Sequence, residues 1–276
     1  MVIPSNSAEP LTILGVFAHP DDEGFGSGGT LAMLVDKGHR VSLICATNGD
    51  VGEISDPALA TPENLGQVRQ QEMRDAMKVT GVKDVRFLGY RDSGMDGTPD
   101  NDNPNSLYQA PAATVVGQID VVLAELEPDV IITHDHTGGY GHPDHITVYR
   151  HTSAAIEARY NGDGLHPTLY YVCFPRSNFQ RMWKEMRDAG VKPPFGSEDA
   201  EVMGTPDDEV TTIKDVANYL ETKKESLNHH RTQIATNGPF AKLPEKFINE
   251  IMSTEYYYLV QPNGGPKQRD ILAEIG

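Results

Sequence analysis

Ala18-His19-Pro20-Asp21-Asp22-Glu23 places one imidazole and three carboxylates directly after an apolar run, Leu11 to Phe17. Such a run reads as a buried strand. Ionisable groups at its end are costly to desolvate unless something binds them, and a divalent metal is the simplest partner. The arrangement recurs in Asp129-Val130-Ile131-Ile132-Thr133, followed by Gly138-Gly139-Tyr140-Gly141-His142-Pro143-Asp144-His145. Two buried strands that each end in His and Asp can converge on one ion. His19 and Asp22 stand three apart on a tight turn stiffened by Pro20, so both can face it, and His145 can supply a third donor. Two imidazoles and one carboxylate leave a position for water, as catalytic zinc sites do, and acidify that water. The same donors suit non-haem Fe(II). Asp21 has to point away from its neighbour and is a candidate general base. His142 and His145 share a face of a helix start. Either both bind metal, or His145 binds while His142 acts as an acid held charged by Asp144. The Tyr140 phenol, in a glycine-rich turn, can donate to an oxyanion.

Other clusters carry less. Thr205-Pro206-Asp207-Asp208-Glu209 has no histidine and no preceding strand, and reads as a helix start favoured by the dipole. His134 and His136 flank Asp135 and read as pocket lining. His229 and His230, late on a polar helix, can reach the site from the C-terminal part. His39, His151 and His166 read as structural or surface residues. Asp92 to Asn105 is rich in acids, but its spacing and the missing bidentate Glu do not fit a calcium loop. Gly24-Phe25-Gly26-Ser27-Gly28-Gly29 matches the dinucleotide fingerprint between a strand and a helix, with Asp50 where a ribose partner can stand. A nucleotide-binding oxidoreductase is therefore the alternative from another class. Three acids immediately before the glycines oppose a pyrophosphate, which favours a packing role for them.

The elements that must position these residues alternate along the chain. Strands are expected at 11–18, 41–47, 85–88, 129–133 and 169–174. Helices are expected at 28–37, from the Thr61 cap to Gly81, at 112–127 and at 142–160. This rhythm predicts an α/β fold: a mostly parallel, Rossmann-like sheet with helices on both faces. Ligands of such sheets bind beyond the strand C-termini, where the strand order reverses. If the first and fourth strands are neighbours, the two motifs meet there. Residues 1–176 make up this core. Residues 177–276 read as a smaller C-terminal appendage of the same domain that shapes the pocket, helical near 178–189 and 208–230 with a short strand at Tyr256 to Val260.

The chain has 276 residues and a net charge of −17. Its field repels phosphates, which argues against nucleic acid or an anionic membrane surface as partner. Cys45 and Cys173 fall in strand-like runs and read as small core residues. No basic-then-apolar leader is visible, and no run approaches ~18 apolar residues. The expectation is a cytoplasmic protein without membrane insertion that acts on a small molecule; composition leaves a homo-oligomer open.

His19-Pro20-Asp21-Asp22-Glu23 together with Gly139-Tyr140-Gly141-His142-Pro143-Asp144-His145 resembles the PIG-L/LmbE-like zinc deacetylases, over roughly residues 11–175. These enzymes remove acetyl groups from N-acetylglucosamine conjugates. The resemblance implies His19, Asp22 and His145 as zinc ligands and Asp21 as the base. It implies His142 as the acid with Asp144 behind it, and Tyr140 near the oxyanion. Thr47-Asn48-Gly49-Asp50, Arg69 and Arg91-Asp92-Ser93-Gly94-Met95 resemble family stretches that line the sugar pocket, and this makes Arg69 and Asp92 the expected substrate contacts. His229-His230-Arg231-Thr232-Gln233 and Glu255-Tyr256-Tyr257 look like the branch of mycothiol metabolism, which includes a deacetylase and an amidase of S-conjugates. The expected function is zinc-dependent deacetylation of an N-acetylglucosamine-containing small molecule, with such an amidase as the alternative.

Overall fold

The six residues of β1 (Thr12–Phe17) are all buried, and their side chains alternate between two cores. Ile13 and Phe17 enter one core together with Leu31 and Leu34 of α1 (Asp22–Asp36) and Met73 and Met77 of α2 (Leu65–Thr80). Leu14 and Val16 enter the other, with Ile119 and Leu123 of α3 (Ala112–Leu126). A strand buried on both faces is the signature of a sheet sandwiched by helices. The computed structural model describes residues 9–160, 166–193, 202–234, 238–261 and 268–275.

β1 lies between β2 (Arg40–Thr47) and β4 (Val130–His134), parallel to both. β3 (Asp84–Tyr90) pairs parallel with β2, and β5 (Thr168–Cys173) pairs parallel with β4. Beyond β5 the sheet turns antiparallel through β7 (Thr254–Leu259) to β6 (Thr212–Asp215). The seven-stranded order is β3-β2-β1-β4-β5-β7-β6. The chain builds outward on one side of β1 and then returns to its other side. The reversal therefore falls between the C-termini of β1 and β4, where both motifs stand. No helix among the described residues is long and apolar enough to cross a membrane.

Several expected boundaries shift. α1 starts at Asp22, ahead of Gly28, so the glycine run lies inside the helix. Thr61 does not cap α2: residues 61–64 form a turn in which the Thr61 N–H donates to Asn64 Oδ1 at 2.7 Å, and Asn64 precedes the helix. Gly81 ends α2 in the left-handed conformation as expected, at φ 84°. The stretch near 208–230 is not one helix. It holds a short 3-10 turn at Asp207–Glu209, strand β6 and only then α7 (Leu220–Leu227). The single turn α4 (Gly138–Gly141), α5 (Pro143–Arg159), α6 (Arg176–Asp188), α8 (Glu245–Met252) and a last turn α9 (Ile271–Glu274) complete the elements.

The helical glycines let β5 and the segment leading into α7 pack directly on α1. A Cβ on Gly29 would lie 2.6 Å from the Val216 side chain, and one on Gly26 would collide with Val172. The amides of Gly29 and Thr30 donate to the Glu255 carboxylate, both at 2.9 Å. A dinucleotide cradle needs free amides at a helix start, and here they are held inside the helix or by Glu255. The oxidoreductase alternative is overturned on this geometry. Glu255 also pairs with Lys223 at 2.7 Å, with both side chains at most 2% exposed. Glu255→Ala leaves that ammonium buried without its partner. It should cost about 3–5 kcal/mol, read as a lower denaturation midpoint at unchanged slope.

Candidate active site

β1 and β4 deliver the two motifs side by side. The Ala18 N–H donates to His134 Nε2 at 3.0 Å, and Thr47 Oγ1 donates to Ala18 O at 2.9 Å, which fixes the exit of β1. Past β4, the Asp135 carboxylate accepts hydrogen bonds from Thr137 N, Thr137 Oγ1 and Thr205 Oγ1. Gly138 and Gly139 then take φ values of 63° and 70°, where a side chain would be strained. This reversal aims the start of α5 back at β1. His142 is the N-cap residue, its Nδ1 accepting from the Asp144 N–H at 3.1 Å.

Three donors from the two motifs form a triangle. His19 Nδ1 lies 3.1 Å from His145 Nε2, Asp22 Oδ2 lies 3.3 Å from His19 Nδ1, and Asp22 Oδ1 lies 3.2 Å from His145 Nε2. The outer partners assign the tautomers. His145 Nδ1 is 3.1 Å from Gly138 O, which can only accept, so His145 Nε2 presents a lone pair. His19 Nε2 is 3.2 Å from Asp144 Oδ2, so His19 Nδ1 presents one as well. Lone pairs and a carboxylate held this close repel one another unless a cation lies between them. Ligands about 2.1 Å from a tetrahedral ion stand about 3.4 Å apart, which matches the triangle. The residues present therefore fit a divalent metal. The surrounding carboxylates favour one positive charge at this point, a proton on His19 when no metal is bound and the metal in its place when one is. Burial opposes a charge on His19, but Asp92, Asp144 and Asp22 outweigh it and raise its pKa well above the usual imidazole range. Burial likewise opposes ionising Asp22, yet His145, His134 and His19 hold it well below the carboxylate range.

Asp21 points away from this triangle, and its carboxylate meets the Arg69 guanidinium at 3.2 Å. Burial lifts the Asp21 carboxyl to about 6, with Arg69 pulling the other way. Arg69, 3% exposed, also donates to Gly49 O at 2.8 Å and Pro20 O at 2.9 Å. The side chain expected to contact substrate is thus engaged in bracing the loop that carries Asp21.

Asp144 is placed differently from the reading that put it behind His142. Its carboxylate faces His19 and accepts from the Ser93 N–H at 2.9 Å and from Ser93 Oγ. Asp144 touches His142 only through its backbone N–H. The carboxylate near His142 is Asp92, whose Oδ1 lies 4.0 Å from His142 Nε2 and 3.6 Å from His19 Nε2. Burial, together with the charge of His19, pushes the His142 imidazole far below its ordinary range. Tyr140 stacks edge-on against His145 at 5.1 Å between ring centres. Burial and the nearby carboxylates raise its phenol pKa, so it keeps its proton.

Residues 14–156 match the family described as PIG-L: GlcNAc-PI de-N-acetylase. The chain is 37% identical over 280 residues to a 1D-myo-inositol 2-acetamido-2-deoxy-alpha-D-glucopyranoside deacetylase of Acidothermus cellulolyticus, covering 96% of this chain and 95% of that one. This chain belongs to the PIG-L family. Its fold is shared by the N,N'-diacetylchitobiose deacetylase of Pyrococcus horikoshii, at a TM-score of 0.59, 18% identity and coverage of 91% and 84% of the two chains. It is also shared by a 4-carboxy-2-hydroxymuconate hydratase of Pseudomonas putida, at a TM-score of 0.54, 17% identity and coverage of 94% and 100%. One architecture thus hosts different reactions. Family membership and the site, rather than the architecture, make this PIG-L chain an amide hydrolase.

Within the PIG-L site, three neighbours of the motifs carry more than their sequence signal suggested. His134 is 4% exposed and stacks on His145 with ring centres 4.1 Å apart. It lies 3.5 Å from Asp22, but its Nε2 already accepts from Ala18, so it backs the triangle as a neutral ring. Burial lowers its pKa to about 4. Ser93, fully buried, anchors Asp144; only its place in the Arg91 to Met95 stretch pointed to it. His230 is buried against Glu23 at 2.9 Å, while His136 lies half-exposed 3.7 Å from Glu209 and away from the triangle.

Proposed function

We propose that the protein is a zinc-dependent N-deacetylase acting on an N-acetylglucosamine unit joined to a small polar aglycone such as inositol. The observation that carries this reading is the triangle of His19, Asp22 and His145 with the Asp21 carboxylate beside it. The Acidothermus relative, matched over nearly its whole length, supports the substrate class. His19, Asp22 and His145 are the residues that would hold the metal, and zinc is favoured over Fe(II) by its higher affinity for such donors. When bound, the metal supplies Lewis acidity to the amide carbonyl and lowers the pKa of the attacking water.

The remaining steps belong to the chain's own groups. Asp21 takes the proton of the attacking water; burial has moved its pKa toward the working range of a general base. Tyr140, kept protonated, donates its hydroxyl hydrogen to the oxygen that gains charge. The proton that Asp21 takes passes on to the departing amine. His142 faces that step as a neutral ring: its Nδ1 accepts the Asp144 N–H, so its one ring proton sits on Nε2, on the Asp92 side, and is presented as a hydrogen-bond donor rather than given up. Asp144 and Ser93 orient His19, and Arg69 orients Asp21.

A panel of acceptor-linked amides tests the assignment. Free amine should appear fastest from N-acetylglucosaminyl-inositol, more slowly from free N-acetylglucosamine, and negligibly from an S-conjugate carrying a longer acyl group. Preferred cleavage of the S-conjugate would replace the deacetylase reading with the amidase one.

A further inference from the structure

Asp21 adopts φ 134° and ψ −25°, one of two non-glycine residues with positive φ among those described. Side chains rarely occupy that region, and such strain persists only where neighbours over-determine it. Glu23 is the neighbour that grips the backbone. Its Oε2 accepts the Asp21 N–H at 3.0 Å, and its Oε1 meets His230 Nε2 at 2.9 Å. Both side chains are fully buried. His230 comes from far along the chain, and the segment after it is fastened down. Ser55 N donates to Thr232 O at 2.9 Å, Ser55 Oγ donates to Arg231 O at 2.6 Å, and Thr232 N and Oγ1 donate to the Glu72 carboxylate at 2.9 and 2.6 Å.

We propose that Glu23 and His230 are positioning residues that hold Asp21 in its left-handed conformation and so aim the base. The proposal rests on the reading of Asp21 as the base. Arg69 holds the Asp21 carboxylate and Glu23 its amide, while the Asp21 carbonyl accepts the N–H groups of Gly24 at 2.9 Å and Phe25 at 3.4 Å as α1 begins. Without the Glu23 acceptor the backbone relaxes toward an ordinary conformation and the carboxylate swings off the attacking water. His19, Asp22 and His145 keep their own contacts, so metal content and substrate affinity are retained while kcat falls. A misplacement of about 1 Å costs about 100-fold in rate.

The test uses zinc-loaded full-length protein with N-acetylglucosaminyl-inositol. Glu23→Leu should lose about 100-fold in kcat with KM and zinc content unchanged. Glu23→Gln keeps an acceptor for the Asp21 N–H and should restore most of the rate. In an Asp21→Asn background, Glu23→Leu should cost nothing further, because both changes remove one function. If the single Leu variant does not fold, Glu23→Leu/His230→Leu removes both buried partners together and leaves neither unsatisfied; the same kcat criterion then applies. A folded Leu variant with native kcat overturns the positioning role, as does a loss that appears in KM or zinc content, or one that adds fully to Asp21→Asn. A fully active Asp21→Asn enzyme would instead remove the base assignment itself.

Discussion

Asp21→Ala should yield a folded protein that binds zinc normally and turns over on the order of 10²–10⁴-fold more slowly than the native enzyme. The expectation follows from how the loop divides its carboxylates. Asp22 faces His19 and His145, whereas Asp21 faces Arg69. Removing Asp21 therefore leaves the three proposed metal donors in place and deletes the proposed proton acceptor. The backbone is affected too: alanine is no better suited than aspartate to φ 134°, so part of the loss reflects a relaxed loop. Zinc content by elemental analysis and kcat from acetate release separate the loss of metal from the loss of the base. A near-native rate at full zinc content would remove Asp21 from the mechanism.

The second large effect is on the metal itself. His19→Ala should fail to retain zinc through dialysis and lose turnover with it. His19 is the corner at which both motifs meet, with Nδ1 on the triangle and Nε2 against Asp144. Its loss removes a direct donor and also takes one partner from Asp144 and Asp92, two buried carboxylates that face it. The loss of affinity should exceed the roughly 10–100-fold that removing an outer partner typically costs. Full zinc occupancy in this variant would exclude His19 from the ligand set.

Much of this arrangement could be read before any coordinates. The apolar runs ending in His and Asp specified β1 and β4, and the β-α alternation implied that they could be neighbours, as they are. The glycine run misled at one point. Glycine is a poor helix former, so the stretch before Gly28 read as a loop, yet tertiary packing against Val172 and Val216 favours a helix there with no Cβ. Strand β6 was hidden for a related reason. Its four residues follow an acidic helix-like start, and what makes them a strand is pairing with β7 and burial of Thr212 and Lys214 against the distant Asp270 and Leu272. Propensity does not record such partners. The same limit applies inside the site. Spacing brings His19, Asp22 and His145 together, but it could not show that Asp144 serves His19 and that Asp92 faces His142. Those pairings depend on the loop after β3, which returns Ser93 to α5 across 51 positions of sequence.

We propose that a metal held by His19, Asp22 and His145 is what makes this site hydrolyse an acetamide. This proposal is tested most directly by stripping the protein with a chelator and titrating zinc back while recording acetate release from N-acetylglucosaminyl-inositol. The stripped protein should release none, and release should then rise with added zinc and saturate at one zinc per chain. Release that survives complete removal of metal, or a protein that binds one zinc per chain and releases no acetate, would contradict it.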